Sequence, residues 1–282
     1  MKCKITIPLV IVGNILFSCE PDHIAQTPQY RTDVNPLLAK EIVYNAETSE
    51  KIQEIIYSYN NYGLVERQSS TGSGDFDNWE LQFKYEYDGD NNLIKRNTHT
   101  KDINHFGTVN ITDSGVEYTY ENGLMKSETG TYNGKPSGYR TIYFYTGERL
   151  DSSRCYYSYM DENLYQYLHT TFYTYDGQSH LVKTSDEKGR TIKRLRYEGD
   201  RLMEISELFN PFDGSAPESH TVNEYNNVGQ LISATESSAR GFESRVLYSY
   251  KDGRLDGKKV YSYLYSDPGK KIEVELIRYE YH

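Results

Sequence analysis

A tyrosine doublet followed by a turn and a leucine recurs along most of this chain, and it constrains the fold more than any other feature. Typical units are Tyr118-Thr-Tyr120-Glu-Asn-Gly123-Leu124 and Tyr173-Thr-Tyr175-Asp176-Gly177. The second tyrosine falls at positions 59, 87, 120, 145, 175, 197, 225, 250 and 281, at intervals of roughly 28 residues. Self-similarity of this kind predicts a repeat architecture.

Each unit is typical of a β-hairpin. Alternate residues of a strand share one face, so Tyr-x-Tyr places both side chains on the same side. The Asp, Asn and Gly residues that follow supply the positive φ and the local hydrogen bonds of a tight turn. The units predict roughly 16 to 18 antiparallel strands. The expected fold is all-β, an extended twisted meander of tandem hairpins that stays open or curls toward a partial barrel or spiral.

Tyrosine also dominates the apolar inventory, with 29 Tyr in 282 residues against 9 Phe and 1 Trp. Tyr can build a thin core where the ring is covered and the hydroxyl finds a partner. We expect the doublets to pack unit on unit. An exposed aromatic platform for sugars or peptides is the alternative.

The start of the chain has the pattern of a secretory segment. Met1-Lys2-Cys3-Lys4 precedes an apolar run from Ile5 to Phe17, which is shorter than the roughly 20 residues of a membrane-spanning helix. Leu16-Phe17-Ser18-Cys19 resembles the lipobox of bacterial lipoproteins. The resemblance implies a signal peptide over 1–18 and a lipid on Cys19. A flexible tether containing Pro21, Pro28 and Pro36 is expected over 19–42, before a repeat domain over 43–282.

Charge and the residues after Cys19 bear on location and partners. Glu20 and Asp22 are similar to the acidic signal that sends some lipoproteins to the cell surface, so we expect an outer-membrane lipoprotein that faces outward. A periplasm-facing protein is the alternative. The net charge of −10 disfavours nucleic acid as a partner, and it leaves membrane attachment to the lipid anchor.

The repeat unit Tyr-x-Tyr-Asp-x-x-Gly-x-Leu resembles the YD repeat of RHS-type proteins, most clearly over residues 173–204 and more loosely over 50–282. In large relatives such units spiral into a shell around a toxin. This array is short, and Asp267-Pro268-Gly269 is only a fragment of the motif that precedes the toxin. The resemblance therefore implies the strand–turn–strand unit and not the delivery role.

Motifs for chemistry are weak. Asp88-Gly-Asp90-Asn-Asn92 resembles the opening of a calcium loop, but Leu93 and His99 stand where Gly and Glu are required, which predicts a hairpin turn. Cys155 is expected to be a small buried filler. We predict no catalytic residue, metal or cofactor, although a carboxylate pair for glycoside hydrolysis is recognised only in three dimensions.

The long connections between hairpins are the candidate binding segments, because loops on a repeat scaffold are free to vary. Their aromatic residues, which could instead fold back on the sheet, are Phe76, Trp79, Phe106, Phe209 and Phe212. The predicted function is a non-catalytic cell-envelope lipoprotein that binds or scaffolds a glycan or protein. The alternatives are an extracellular enzyme with an acidic site in a sheet groove and an RHS-associated accessory or immunity protein.

Overall fold

A computed structural model describes most of the repeat region. The described residues are 37–46, 48–61, 63–72, 78–103, 107–158, 165–208, 219–238, 243–263 and 271–281, without the side chains of 262, 263 and 271–275. The predicted signal peptide, Cys19 and most of the predicted tether lie outside the described residues.

The described residues form strands connected in simple succession. Their bounds are β1 Leu38–Asn45, β2 Lys51–Tyr59, β3 Val65–Gly72, β4 Asn78–Tyr87, β5 Leu93–Ile103, β6 Val109–Glu121, β7 Leu124–Tyr132, β8 Lys135–Thr146, β9 Arg149–Ser158, β10 Gln166–Tyr175, β11 Leu181–Asp186, β12 Thr191–Glu198, β13 Arg201–Glu207, β14 Ser219–Tyr225, β15 Leu231–Ser238, β16 Glu243–Lys251, β17 Arg254–Tyr263 and β18 Lys271–Tyr281.

The sheet closes on itself. Every strand pairs antiparallel with its neighbours in sequence, and β1 pairs with both β2 and β18. The result is an 18-stranded up-and-down barrel. The predicted all-β antiparallel meander is confirmed. The sequence left open how far the sheet curls, and the structure shows that it closes completely, which removes the exposed strand edges.

Closure depends on a strand that carries no repeat signature. β1 begins at Leu38 and so includes residues 38–42, which the sequence assigned to the tether. Ile42 pairs with Arg278 on one side and Glu54 on the other, and Ile42 and Val43 are buried. The last tyrosine unit, β18, is half a hairpin in the sequence. β1 supplies its missing neighbour.

Side-chain capping builds the turns. The Asp176 carboxylate oxygen Oδ1 accepts hydrogen bonds from the backbone N–H groups of Gln178 (2.8 Å) and His180 (2.9 Å). Asp88 accepts in the same way from Asp90 and Asn92. The calcium-like segment is therefore a hairpin turn, as predicted, with its first carboxylate engaged by the backbone. The equivalent bonds recur at Asp186 and Asn226.

Burial alternates along the strands and identifies the inner face. On β10, Thr171 and Tyr173 are 5% and 8% exposed, whereas Phe172 between them is 43% exposed. A closed wall is concave on one side only, where side chains converge, and convex on the other, where they splay. The covered face is thus the inner face. The tyrosine doublets belong to it, and the residue between the two tyrosines of each doublet faces outward.

The best-packed part of the interior lies on β7 to β10. Met125, Tyr143, Leu150 and Tyr173 are all buried there, with Tyr143 only 1% exposed. Packed against them are Tyr118, Tyr120, Tyr145, Tyr175 and Leu181. These residues come from successive units, so the expected packing of tyrosines unit on unit is observed.

The tyrosine hydroxyls join neighbouring repeats. The second tyrosine of a unit donates to the backbone carbonyl of the leucine of the preceding unit, for example Tyr250 to Leu231 (2.8 Å). The same bond joins Tyr120 to Leu93, Tyr225 to Leu202 and Tyr281 to Leu255, while Tyr59 reaches Leu38 and Tyr85 reaches Val65. This bond explains why the repeat uses Tyr where Phe would fill the same space.

Candidate functional site

The two ends of the barrel differ. The turns that follow the tyrosine doublets gather at one end, which we call the turn rim. Leu38 pairs with Tyr281 and its carbonyl accepts the Tyr59 hydroxyl (2.7 Å), so β1 also enters the barrel at the turn rim. The strand ends that bracket residues 73–77, 104–108, 159–165 and 208–218 all lie at the opposite end, which we call the loop rim.

The predicted aromatic contact residues are associated with the loop rim. Phe76, Phe106, Phe209 and Phe212 lie outside the described residues, in segments whose flanking strands end at that rim. Trp79 was assigned to a loop by the sequence, but the structure places it in β4, opposite Ser70 and Asp102. It shares the inner face with Phe83 and Tyr85. The Trp side chain is therefore half-buried at the inner edge of the loop rim.

Burial shifts the pKa of several side chains on the inner face. Burial raises the pKa of Tyr85 and Tyr120 to about 12. Burial, followed by the charge of Glu41, also raises the pKa of Tyr57 and Tyr279. Burial lowers the pKa of His169, which is 4% exposed. These tyrosines and His169 are neutral near pH 7, and they share the inner face with ionisable side chains such as Glu41 and Arg96.

The outer face is charged, and many of its charges are paired across strands. Lys95 and Glu117 are 2.8 Å apart, Arg67 and Glu80 are 3.0 Å apart, and Arg245 and Glu224 are 3.3 Å apart. These atoms are partly exposed, so each pair contributes at most about 1 kcal/mol to stability. The main effect of these charged side chains is to specify which side of each strand is exposed to solvent.

Two outer grooves are large enough to receive a small group. One, of about 440 Å³, crosses β4 to β8 and contains His99 and Asp113, whose Nδ1 and Oδ1 atoms are 2.7 Å apart. The other, of about 420 Å³, crosses β11 to β13 and is lined by Lys183, Arg194, Arg196 and Glu204. Each holds a single carboxylate residue, so neither of these two grooves offers the carboxylate pair that glycoside hydrolysis needs.

Several sequence predictions can be placed on this framework. Cys155 is 1% exposed on the inner face, so its predicted burial is observed. Over the described ranges, no group of three or more His, Cys, Asp and Glu side chains is arranged to hold a metal ion. Among the same residues, no helix has the length and apolar character needed to cross a membrane.

Sequence reasoning did not find the outer cations Lys183 and Arg194. Their significance comes from being opposite each other on β11 and β12. The alternation of the strands could have placed both on the charged face. The register that makes them neighbours is visible only in the folded sheet.

Comparisons with known proteins show likeness of shape only. No family model matches the chain, and no curated protein matches it. A porin-like protein from Bacteroides uniformis ATCC 8492 is similar in structure, with TM-score 0.45, 8% identity, and 88% of this chain and 98% of that chain covered.

The crystal structure of TcdB2-TccC3-Cdc42 is also similar, with TM-score 0.29, 10% identity, and 80% of this chain and 15% of that chain covered. That of TcdB2-TccC3 has TM-score 0.28, 11% identity and coverages of 81% and 16%. At these scores the similarities do not bear on function, and the YD repeat remains a resemblance of motif.

Proposed function

We propose that this chain is a non-catalytic binding or scaffold lipoprotein of the cell envelope. A lipid on Cys19 holds it at the outer membrane, and the barrel presents its loop rim and outer wall to a glycan or protein partner outside the cell. The observation that carries the proposal is that β1 enters at the turn rim, whereas the strand ends bracketing the long connections lie at the loop rim.

This arrangement suits a tethered binding protein. The chain between Cys19 and Leu38 can extend at most about 60 Å, which is enough to separate the barrel from a bilayer surface. Since that chain joins the turn rim, an anchor on Cys19 leaves the loop rim free to point away from the membrane. The aromatic residues Phe76, Phe106, Phe209 and Phe212 belong to segments that start and end there.

The polarity of the wall supports attachment by a lipid and not by insertion. Barrels that cross membranes turn an apolar band toward lipid, and each Arg or Lys at the bilayer midplane costs about 2–4 kcal/mol. Here the outward positions include Arg67, Lys84, Lys95, Arg194 and Arg196, and the side with the tyrosines faces inward. A pore-forming role would require the opposite arrangement.

No described feature favours the enzyme alternative. The Glu204 carboxylate in the β11–β13 groove has a lowered pKa because the Arg196 side chain donates a hydrogen bond to it. A lowered pKa makes a carboxylate a poorer general acid at neutral pH. The RHS-associated accessory role depends on a motif resemblance alone, and an adjacent toxin gene would support it.

The anchor is tested by replacing Cys19. We expect Cys19→Ser to move the protein from the membrane fraction to the soluble fraction, and metabolic labelling with a radioactive fatty acid to disappear with it. Cys3→Ser is the matched control, because Cys3 lies in the predicted signal peptide and its replacement should change neither readout. Membrane retention of Cys19→Ser, together with ion conductance in planar bilayers, would overturn the proposal in favour of a pore.

Orientation and binding need separate measurements. Antibody labelling of intact cells should detect the barrel, and labelling only after permeabilisation would contradict the outward orientation. The purified protein is then applied to glycan arrays and to purified envelope proteins. Failure to bind in both assays would contradict the binding role.

A further inference from the structure

One sector of the outer wall has unpaired positive charge. On the outer faces of β8 to β12, Arg140, Arg154, Lys183 and Arg194 project from the wall. No carboxylate of the described residues lies within ion-pair distance of these side chains. In other sectors the outer cations Arg67, Lys95 and Arg245 are ion-paired, and the net charge of the chain is −10.

Two of these cations are held against each other. Lys183 and Arg194 are direct cross-strand partners on β11 and β12, and Arg196 follows two positions along β12. Like charges directly opposite each other destabilise a sheet. Glu204 bonds to Arg196, which leaves Lys183 and Arg194 to line the groove of about 420 Å³ with a net positive charge. An anion bound there would remove the repulsion.

Exposed aromatic side chains lie beside the cations. Phe172 and Tyr167, on β10, are 43% and 49% exposed on the outer face. The Tyr167 and Tyr156 rings meet edge to face with centroids 5.9 Å apart, and the Arg154 guanidinium lies 4.9 Å from the centre of the Phe144 ring. Phe172 is opposite Ser185, two residues from Lys183, so the aromatic residues and the cations form one continuous surface.

The acids near this surface are already engaged. Glu187, in the turn after β11, accepts a hydrogen bond from the backbone N–H of Thr170 (3.2 Å). Glu204 is bonded to Arg196 and lies 3.7 Å from His220. Neither carboxylate neutralises Lys183 or Arg194. A ligand for this surface must therefore bring negative charge and also flat, weakly polar faces that pack on aromatic rings.

We propose that this surface, the basic–aromatic strip formed by Arg140, Arg154, Lys183, Arg194, Tyr167 and Phe172, binds an acidic polysaccharide. Carboxylate or sulfate groups of the sugar contact the cations, and the C–H faces of the sugar rings stack on Phe172 and Tyr167. The inference rests on the proposed binding function and names its ligand class. An acidic polysaccharide can contact both the cations and the aromatic rings of the strip, whereas a simple polyphosphate can contact only the cations.

The test uses the purified mature lipoprotein in detergent micelles and measures affinity at fixed salt. The probes are polygalacturonate, chondroitin sulfate, neutral dextran, polyphosphate and single-stranded DNA. We expect binding to one or both acidic polysaccharides and none to dextran. The double variant Lys183→Gln/Arg194→Gln should lose about tenfold or more in affinity, or about 1.4 kcal/mol. The control Arg67→Gln/Lys95→Gln makes the same change in net charge on another sector and should lose less than about twofold.

Two further readouts separate a ligand site from a structural role. Phe172→Ala should weaken polysaccharide binding while leaving any weak polyphosphate binding unchanged. Lys183→Gln alone should raise the melting temperature of the ligand-free protein, because it removes a like-charge pair. A purely structural role predicts a fall in melting temperature instead. The single variant also serves if the double variant fails to fold.

Three results would contradict the proposed polysaccharide site. The first is an equal loss of affinity in the two charge variants. The second is tighter binding of polyphosphate or DNA than of either polysaccharide, and the third is no binding of any polyanion. If the protein fails to bind polyanions but binds a neutral glycan or an envelope protein, the inference is wrong and the proposed function stands. If Cys19→Ser stays in the membrane and conducts ions, the proposed function itself is wrong.

Discussion

The inner and outer faces of β8 to β12 belong to the same strands but differ in burial and in charge. Tyr143 and Tyr173 on the inner face are nearly inaccessible, whereas Phe172, Arg154 and Arg194 on the outer faces of β10, β9 and β12 are open to water. The inner residues are repeated from unit to unit and pack on each other. The outer residues differ between units, and Arg140, Arg154, Lys183 and Arg194 form no ion pair with a described carboxylate. The comparison indicates that the inner face holds the barrel together and that the outer face is free to bind.

The largest effect expected from this division is collapse of the barrel at high pH. Burial raises the pKa of the inner Tyr85 and Tyr120 to about 12, from the usual value of 10.0. A raised pKa in the folded state means that the stabilisation is complete below pH 10 and is lost as the pH rises toward 12. The last step of the phenolate absorbance change, from the buried tyrosines, should therefore coincide with loss of the β signal in circular dichroism. Exposed phenols ionise near pH 10 in any case, so only ionisation of all the tyrosines before loss of the β signal would contradict an inner tyrosine core.

A single inner truncation should have the next largest effect. Tyr143→Ala removes a ring that is 1% exposed and should lower the free energy of unfolding by about 3–5 kcal/mol. Phe172→Ala, on the outer face, is the matched control and should cost less than about 1 kcal/mol. Urea unfolding followed by circular dichroism measures both. Similar losses for the two variants would remove the distinction between the faces.

The covered carboxylate of Asp186 gives a moderate effect that depends on pH. Burial alone would raise its pKa, but the Arg190 side chain, 2.7 Å away, and the backbone N–H groups of Arg190 and Lys188 hold it below the usual value. The stabilisation is therefore present above pH 3.8 and is lost as the pH falls through the lowered native pKa.

Asp186→Asn should cost about 1–3 kcal/mol at neutral pH, since it loses the charged partner of Arg190. The variant should also reduce the dependence of the free energy of unfolding on pH at acidic pH. Asp88→Asn is the comparison at the open turn rim, where Asn226 already caps an equivalent turn, and we expect it to cost less. Unfolding free energies measured from pH 2 to 7 test both expectations. An unchanged pH dependence at acidic pH in Asp186→Asn would show that this carboxylate does not control acid stability.

The smallest effect comes from a single hydroxyl. Tyr250→Phe removes the bond to the Leu231 carbonyl and should cost about 1 kcal/mol. Tyr132→Phe changes a ring that is 51% exposed and should be neutral within about 0.5 kcal/mol. Chemical denaturation of the two variants side by side measures the difference. No difference between them would mean that the hydroxyl links do not stabilise the repeat.

Much of the local structure was predictable, because its causes are local. The Asn122-Gly123 turn has φ of 54° and 77°, as the residue types in a two-residue hairpin turn require. The alternation around Tyr173 predicts two faces from the geometry of any strand. β1 was missed because its sequence has neither a tyrosine doublet nor a turn, and its role depends on pairing with a strand at the other end of the chain.

The amino-acid sequence by itself determined the hairpin unit, an approximate number of strands and the grouping of tyrosines on one side of each strand, since these follow from residue types a few positions apart. Only the tertiary structure decided which side became the interior, that Leu38–Asn45 closes the barrel, and that Lys183 faces Arg194. Curvature, closure and register are set by the packing of distant strands against one another. A pattern that repeats along the chain does not specify them.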